Sequence, residues 1–214
     1  MNQYKKVIVF GATGSVGQHL VAQHLEAGHL VTAFCRTPSK LAVQDHPRLR
    51  VVQGDVLHAG DVEAAVAGQD VVVVTLGSGK SRKSTVRSEG TRQVIAAMQK
   101  QGVRRLVCQT TLGTGESRGN LNFFWKRVMF GWYLKQIFLD HELQEELVRE
   151  SGLDWTIVRP AAFTDGERSG VYRHGFSGDE RGLSLKISRA DVADFVVGEV
   201  EGERYLGRAV GVCY

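Results

Sequence analysis

The chain has 214 residues, 27 basic against 23 acidic, a formal net charge of +4 and 43% hydrophobic residues. That length buries a core without disulfide or metal staples, and the composition is that of a globular protein rather than a disordered or fibrous one. A surplus of four charges spread along the chain is no nucleic-acid footprint and suits an anionic small ligand at least as well, and no run of about 18 apolar residues is present for a membrane span.

Residues 1–6 carry no signal-peptide pattern. The first apolar run, within 4–10, is continuous (Val7-Ile8-Val9-Phe10) and predicts a strand buried on both faces. A helix follows over about 15–27, stopped by Gly28. Strands are expected at 30–35 and 50–53, then a short helix at 61–67 with Asp61 as its N-cap. A fourth strand at 71–76, a helix at 85–101 closed by Gly102 and a fifth strand at 106–110 come next. A long helical region covers about 121–150, interrupted at Gly131, and a sixth strand at 156–158 ends at Arg159-Pro160. A late helix at 189–200 and a final strand at 204–212 complete the chain. Strands separated by single helices require crossovers, so the expected fold is α/β: a doubly wound parallel sheet in one domain. The segment 160–188 is a small lid on the substrate side.

The first strand runs directly into Gly11-Ala12-Thr13-Gly14-Ser15-Val16-Gly17, which opens the first helix. In that context a glycine-rich turn is a dinucleotide site. Gly11 permits the tight turn, Gly14 lets backbone approach a pyrophosphate, and Gly17 lets helix and strand pack closely. The helix N-terminus offers N–H groups and partial positive charge to the phosphates. The end of the second strand decides between cofactors. An acidic residue there would hold the ribose hydroxyls of NAD, whereas arginine accommodates a 2′-phosphate. The residues are Cys35-Arg36-Thr37-Pro38-Ser39-Lys40, with no carboxylate. Arg36 can fork onto a phosphate with Ser39 and Lys40 assisting, so NADPH is the expected cofactor.

These features combine with Gly54-Asp55-Val56, Val66-Ala67-Gly68-Gln69-Asp70, Ser88-Glu89-Gly90, Ser151-Gly152-Leu153-Asp154-Trp155-Thr156-Ile157-Val158-Arg159-Pro160 and Ile187-Ser188-Arg189-Ala190-Asp191-Val192. With them the chain resembles, over nearly its whole length, the atypical short-chain dehydrogenase/reductases, more narrowly the NmrA-like and flavin reductase/biliverdin reductase B groups. The resemblance implies that Asp55 and Val56 border the adenine and that Leu76 and Gly77 line the nicotinamide-side ribose. It further implies that Thr110 and Thr111 stand near the nicotinamide, as candidate catalytic residues, and that Pro160 and Ala161 lie under the carboxamide.

Two departures bear on the chemistry. Many short-chain dehydrogenases carry a Tyr-x-x-x-Lys pair on the helix after the fifth strand. Counting back from Ser151-Gly152, that pair falls on Gln136 and Asp140, which cannot replace it. The histidine that the flavin/biliverdin reductases often carry after the sixth strand is absent from Pro160-Ala161-Ala162-Phe163. Hydride transfer to a flavin, tetrapyrrole or quinone-like acceptor needs no alcohol-activating pair, because the protein mainly positions two flat rings. The alternative is a non-catalytic NADP(H)-binding regulator of the NmrA-like type. An epimerase or dehydratase acting on nucleotide sugars fits the missing pair and short C-terminal part less well.

Residues 123–138 concentrate aromatics (Phe123, Phe124, Trp125, Phe130, Trp132, Tyr133, Phe138) around Lys126, Arg127 and Lys135. A helix apolar all round is not a one-sided surface helix. It is core, a dimer interface, a pocket wall for a flat substrate, or a contact with a membrane surface. Lys80, Arg82, Lys83 and Arg87 follow the fourth strand and form a solvated loop, or meet the cofactor pyrophosphate or an anionic substrate. The histidines form no metal triad, and the three cysteines, Cys35, Cys108 and Cys213, have no metal or disulfide spacing; reduced thiols in a cytoplasmic protein are expected, as a monomer or homodimer.

Overall fold

The computed structural model of the chain describes residues 4–79, 81 and 83–214, with only the backbone of 130 and 131. Lys80 and Arg82, placed above in the loop after the fourth strand, lie outside the described residues.

Strand β1 (Lys6–Phe10) shows why an unbroken apolar run is needed. Side chains alternate across a strand. Val7 and Val9 enter a cluster with Leu20 and Val21 of α1 (Gly17–Glu26) and Val192 and Val196 of α5 (Arg189–Gly202). Ile8 and Phe10 enter another, with Val62 of α2 (Ala59–Val66), Val94 and Met98 of α3 (Val86–Gln101) and Val148 of α4 (Lys135–Glu150). A polar residue on either face would therefore be buried. Each fully buried Val, Ile or Phe contributes about 1.5–3 kcal/mol.

The main sheet adds β2 (Leu30–Cys35), β3 (Leu49–Gln53), β4 (Val71–Val74), β5 (Arg105–Gln109), β6 (Asp154–Pro160), β8 (Arg173–His174) and β10 (Arg208–Cys213). Its order is β3-β2-β1-β4-β5-β6-β10-β8. Seven strands run parallel; β8 closes the edge antiparallel to β10. A small parallel pair, β7 (Ala162–Thr164) and β9 (Lys186–Ser188), stands beside it. The strand order reverses at β1, which pairs with both β2 and β4, so the crevice at its carboxyl end is the ligand position of a doubly wound sheet.

The elements depart from the expected ones in three places. α2 starts at Ala59 with His58 as N-cap; Asp61 lies in the first turn, where its carboxylate accepts the Asp55 N–H at 3.0 Å. The helical region after β5 is not one helix broken at Gly131. A wide π-type helix spans Trp125–Tyr133, and the break is at Leu134, ahead of α4. The short strands β7, β8 and β9 lack the apolar runs that mark the sheet strands and were invisible to pattern reading.

Among the described residues no helix is long and apolar enough to cross a membrane, and no group of three His, Cys, Asp or Glu side chains could hold a metal. All three cysteines are free and buried.

His24 of α1 is fully buried, and neither ring nitrogen has a hydrogen-bond partner. Burial, reinforced by neighbouring His29, lowers its pKa to about 3. The native state therefore keeps His24 neutral while the unfolded chain takes up a proton below pH 6.5. Stability is full above that pH and falls as pH drops toward 3, by about 1.4 kcal/mol per unit. Buried His141, lowered to about 4, acts in the same direction. Comparing urea unfolding at pH 7 and pH 5 should show that His24→Leu removes about 2 kcal/mol of the acid-induced loss. An unchanged loss would exclude His24 as its source.

Candidate functional site

The crevice beyond β1 and β4 is a cavity of about 750 Å³. Its floor is the glycine turn. Gly11 has φ +89°, and a Cβ there would lie 2.4 Å from the Thr75 carbonyl oxygen. A Cβ on Gly17 would stand 2.1 Å from the Gly11 carbonyl oxygen, so α1 can reach this close to the turn only with glycine. Gly17 does not line the cavity; its role is packing. Gly11, Thr13, Gly14, Ser15 and Val16 do line it. No side chain caps α1 at Val16, and its first turn holds no acidic residue. The Gly14 and Gln18 N–H groups are spent inside the turn, on Gly11 and Gly14 carbonyls at 2.8 and 3.1 Å; the remaining leading N–H groups are left to a ligand, and a diphosphate is the group this geometry and dipole suit.

At the end of β2 the exposed Arg36 and Lys40 line the cavity, whereas Ser39, also exposed, does not and drops out of the expected phosphate grip. Asp55 and Val56 line the same end. Asp55 Oδ1 accepts the Leu57 N–H at 3.0 Å, which fixes the turn after β3. α3 closes over them through Gly90, where a Cβ would meet Leu76 and Val56 side-chain carbons at 2.7 and 2.9 Å. Leu76 and Gly77 lie in the wall as expected, and so do Pro160 and Ala161.

Thr110 and Thr111 both reach the cavity, but in different states. The Thr110 hydroxyl donates to Glu145 Oε1 of α4 at 2.7 Å, so its proton is committed. Behind it, Thr114 donates to the same oxygen, and Arg159 of β6 donates through Nε at 2.9 Å and through Nη2 to Oε2. Arg159 also reaches Glu116 Oε1 at 2.8 Å. Burial pushes the Glu145 pKa up, but Arg159, Thr114 and Thr110 outweigh it and leave the carboxyl below its ordinary value. This buried network anchors the end of β5 to α4. Thr111 is the one of the pair whose hydroxyl is not spent in it.

Three further wall residues escape the strand and glycine patterns, and a fourth was expected either in a solvated loop or against the pyrophosphate or an anionic substrate. Gln109 accepts the Thr75 hydroxyl proton at 3.0 Å and ties β5 to the end of β4. Leu134 and His141 are the residues that α4 and the turn before it present to the cavity. Gln136 is exposed, and Asp140 accepts from the backbone N–H groups of Arg87 and Ser88, at 3.3 and 3.1 Å, and from the Ser88 hydroxyl. The cavity positions of this region are thus Leu134 and His141, not Gln136 and Asp140. His141 Nδ1 pairs with Gln144 Oε1 at 3.1 Å. Burial first, then the Arg87 charge, lowers its pKa to about 4, so it is neutral near pH 7. The fourth is Arg87, which is 9% exposed and belongs to the wall, not to a solvated loop.

Among the described aromatic side chains of the segment, Trp125 alone lines the cavity, joined by Leu121 and Leu134. Phe123, Phe124 and Trp132 are 75%, 54% and 79% exposed. The segment therefore has an inner face toward the cavity and an outer apolar face toward solvent, which overturns its reading as plain core. Phe163 and Leu185, from the 160–188 segment, complete the apolar side.

A family model described as NAD(P)H-binding matches residues 11–202. An uncharacterised chloroplastic protein of Arabidopsis thaliana is 33% identical over 178 residues, covering 78% of this chain and 62% of its own length. Of a 3-beta-hydroxysteroid dehydrogenase from Mycolicibacterium neoaurum, 39% identical over 114 residues, the chain covers 31%. The chain thus spans less than two thirds of the length of these curated relatives. Among solved structures, a short-chain dehydrogenase/reductase from Veillonella parvula in complex with NADP has a TM-score of 0.85 at 20% identity, covering 99% of this chain and 95% of that one. An anaerobillin reductase from Escherichia coli O157:H7 has a TM-score of 0.80 at 26% identity, covering 97% and 96%.

Proposed function

The chain belongs to the NAD(P)H-binding family, and from that premise we propose that it is an NADPH-dependent reductase of a flat conjugated acceptor: a flavin, a tetrapyrrole or a quinone-like ring. The glycine turn and α1 hold the diphosphate, Arg36 and Lys40 meet the 2′-phosphate, and Asp55 and Val56 border the adenine. The bound cofactor supplies the hydride.

The observation that carries the reading is what α4 presents to the cavity. Leu134 is apolar and His141 is neutral, with its Nδ1 engaged by Gln144, so α4 offers no acid of the tyrosine–lysine kind. The Thr110 hydroxyl proton is already engaged in its hydrogen bond to Glu145. Thr111 remains to orient an acceptor by a hydrogen bond. An acceptor that takes its proton from water suits such a site, and Trp125, Leu134, Phe163 and Leu185 offer apolar walls to a planar ring. Segment 160–188 serves as the lid. The anaerobillin reductase neighbour supports a small conjugated substrate.

A second reading, a non-catalytic NADP(H)-binding regulator, is favoured by the exposed Phe123, Phe124 and Trp132, a face of the kind that meets another molecule. Steady-state NADPH oxidation with FMN, riboflavin, biliverdin and a quinone separates the two. The reductase turns over at least one acceptor faster than the enzyme-free mixture. Tight NADPH binding without turnover of any of them moves the assignment to the regulator.

A further inference from the structure

The cavity has two cationic poles. One is Arg36 with Lys40 at the end of β2. The other is Arg87, in the first turn of α3, next to Val86 and within electrostatic reach of His141. Asp55 is the single carboxylate among the described lining residues, and it belongs to the Arg36 end. The cofactor's phosphates account for the first pole; the second has Asp140 as its ion-pair partner, at 3.5 Å, and no anion from the cofactor.

Arg87 is built to receive an anion. Its side chain is about nine-tenths buried, which is costly for a guanidinium without compensation. Nη1 has no hydrogen-bond partner and lies 3.5 Å from Asp140 Oδ2. Asp140 is meanwhile occupied by two backbone N–H groups at the start of α3 and by the Ser88 hydroxyl. Its charge therefore steadies Arg87 while leaving donor capacity unused. Ser78 Oγ, which also belongs to the cavity wall, is likewise buried and unpartnered. His141 is neutral there and brings no competing charge.

We propose that Arg87, assisted by Ser78, binds an anionic substituent, a carboxylate or phosphate, carried by the acceptor. This rests on the reductase reading and narrows it to acidic flat acceptors. The cofactor's own diphosphate is the other source of the same chemistry. It is served by the α1 N-terminus, on a different helix.

Matched pairs that differ only in charge test the assignment. FMN and riboflavin share one ring system and differ by a phosphate; biliverdin and its dimethyl ester differ by two carboxylates. Each is titrated into NADP⁺-saturated protein, with binding followed by fluorescence or absorbance. The wild type should bind the anionic member of a pair about tenfold or more tightly, the range of a charge-assisted hydrogen bond. Arg87→Gln should bring the two members within about twofold and leave the NADP⁺ Kd unchanged, with Arg87→Lys restoring part of the preference. An unchanged NADP⁺ Kd also certifies that the variant is folded. Equal binding of both members by the wild type overturns the proposal. So does an Arg87→Gln variant that loses NADP⁺ affinity but keeps the FMN preference, which would give Arg87 to the diphosphate. Binding of neither pair removes the acceptor reading itself, a result distinct from binding without charge discrimination.

Discussion

Glu145→Ala is expected to lower the stability of the folded chain by about 3–5 kcal/mol, the cost of removing one partner from a buried ion pair. Glu145 is 4% exposed and Arg159 1%. The substitution strands the Arg159 guanidinium, whose other carboxylate, Glu116, lies at the more exposed edge, and takes the acceptor from the Thr110 and Thr114 hydroxyls. For a chain of this size the loss corresponds to a drop in Tm of about 10 °C or more. Thermal and urea unfolding with and without NADP⁺ measure it. Glu145→Gln should recover part of the loss, since its amide oxygen still accepts from the threonines. A change below about 1 kcal/mol for Glu145→Ala would show that the network is not what anchors β5 to α4. The double variant Glu145→Leu with Arg159→Met should be less damaging than Glu145→Ala alone, because no buried charge is left unpaired.

Arg36→Glu should reverse the cofactor preference. A charge-assisted contact with the 2′-phosphate contributes about 1.5–3 kcal/mol, so loss of Arg36 weakens NADPH binding about ten- to a hundredfold. The introduced carboxylate adds repulsion toward the phosphate and an acceptor for the ribose hydroxyls of NADH. Titration of the variant with both cofactors gives the ratio of Kd values. Because Arg36 is exposed, the wild-type preference for NADPH should shrink as salt is raised from 0.05 to about 0.5 M. Equal affinity for NADPH and NADH in the wild type and in Arg36→Glu would reject the role of Arg36.

Local pattern made part of this legible, for a physical reason in each case. A parallel strand under helices on both sides must be apolar throughout, so Val7–Phe10 and Val71–Val74 announced themselves. A turn whose Cβ would stand 2.4 Å from a neighbouring carbonyl admits only glycine, so Gly11 could be read from its place after a strand. Other positions could not be read that way. Arg87 follows a polar loop, and only the packing of α3 against α4 takes it out of solvent. The register that brings His141 rather than Asp140 to the wall depends on the break at Leu134, which no propensity scale marks. The aromatic run over 123–138 carried no sign of which residues turn inward.

The glycine turn and the strand–helix alternation thus determined from sequence alone that a doubly wound sheet carries a dinucleotide crevice, because those constraints act between residues close in the chain. Which side chains surround that crevice was decided by contacts between elements far apart in it. Glu145 meets Thr110 across 35 residues and Asp140 meets Ser88 across 52. Those contacts engage the Thr110 hydroxyl proton and leave Arg87 Nη1 ion-paired to Asp140 but without a hydrogen bond. The chemistry of the site depends on that difference, which arises only when α3, α4 and β5 are packed together.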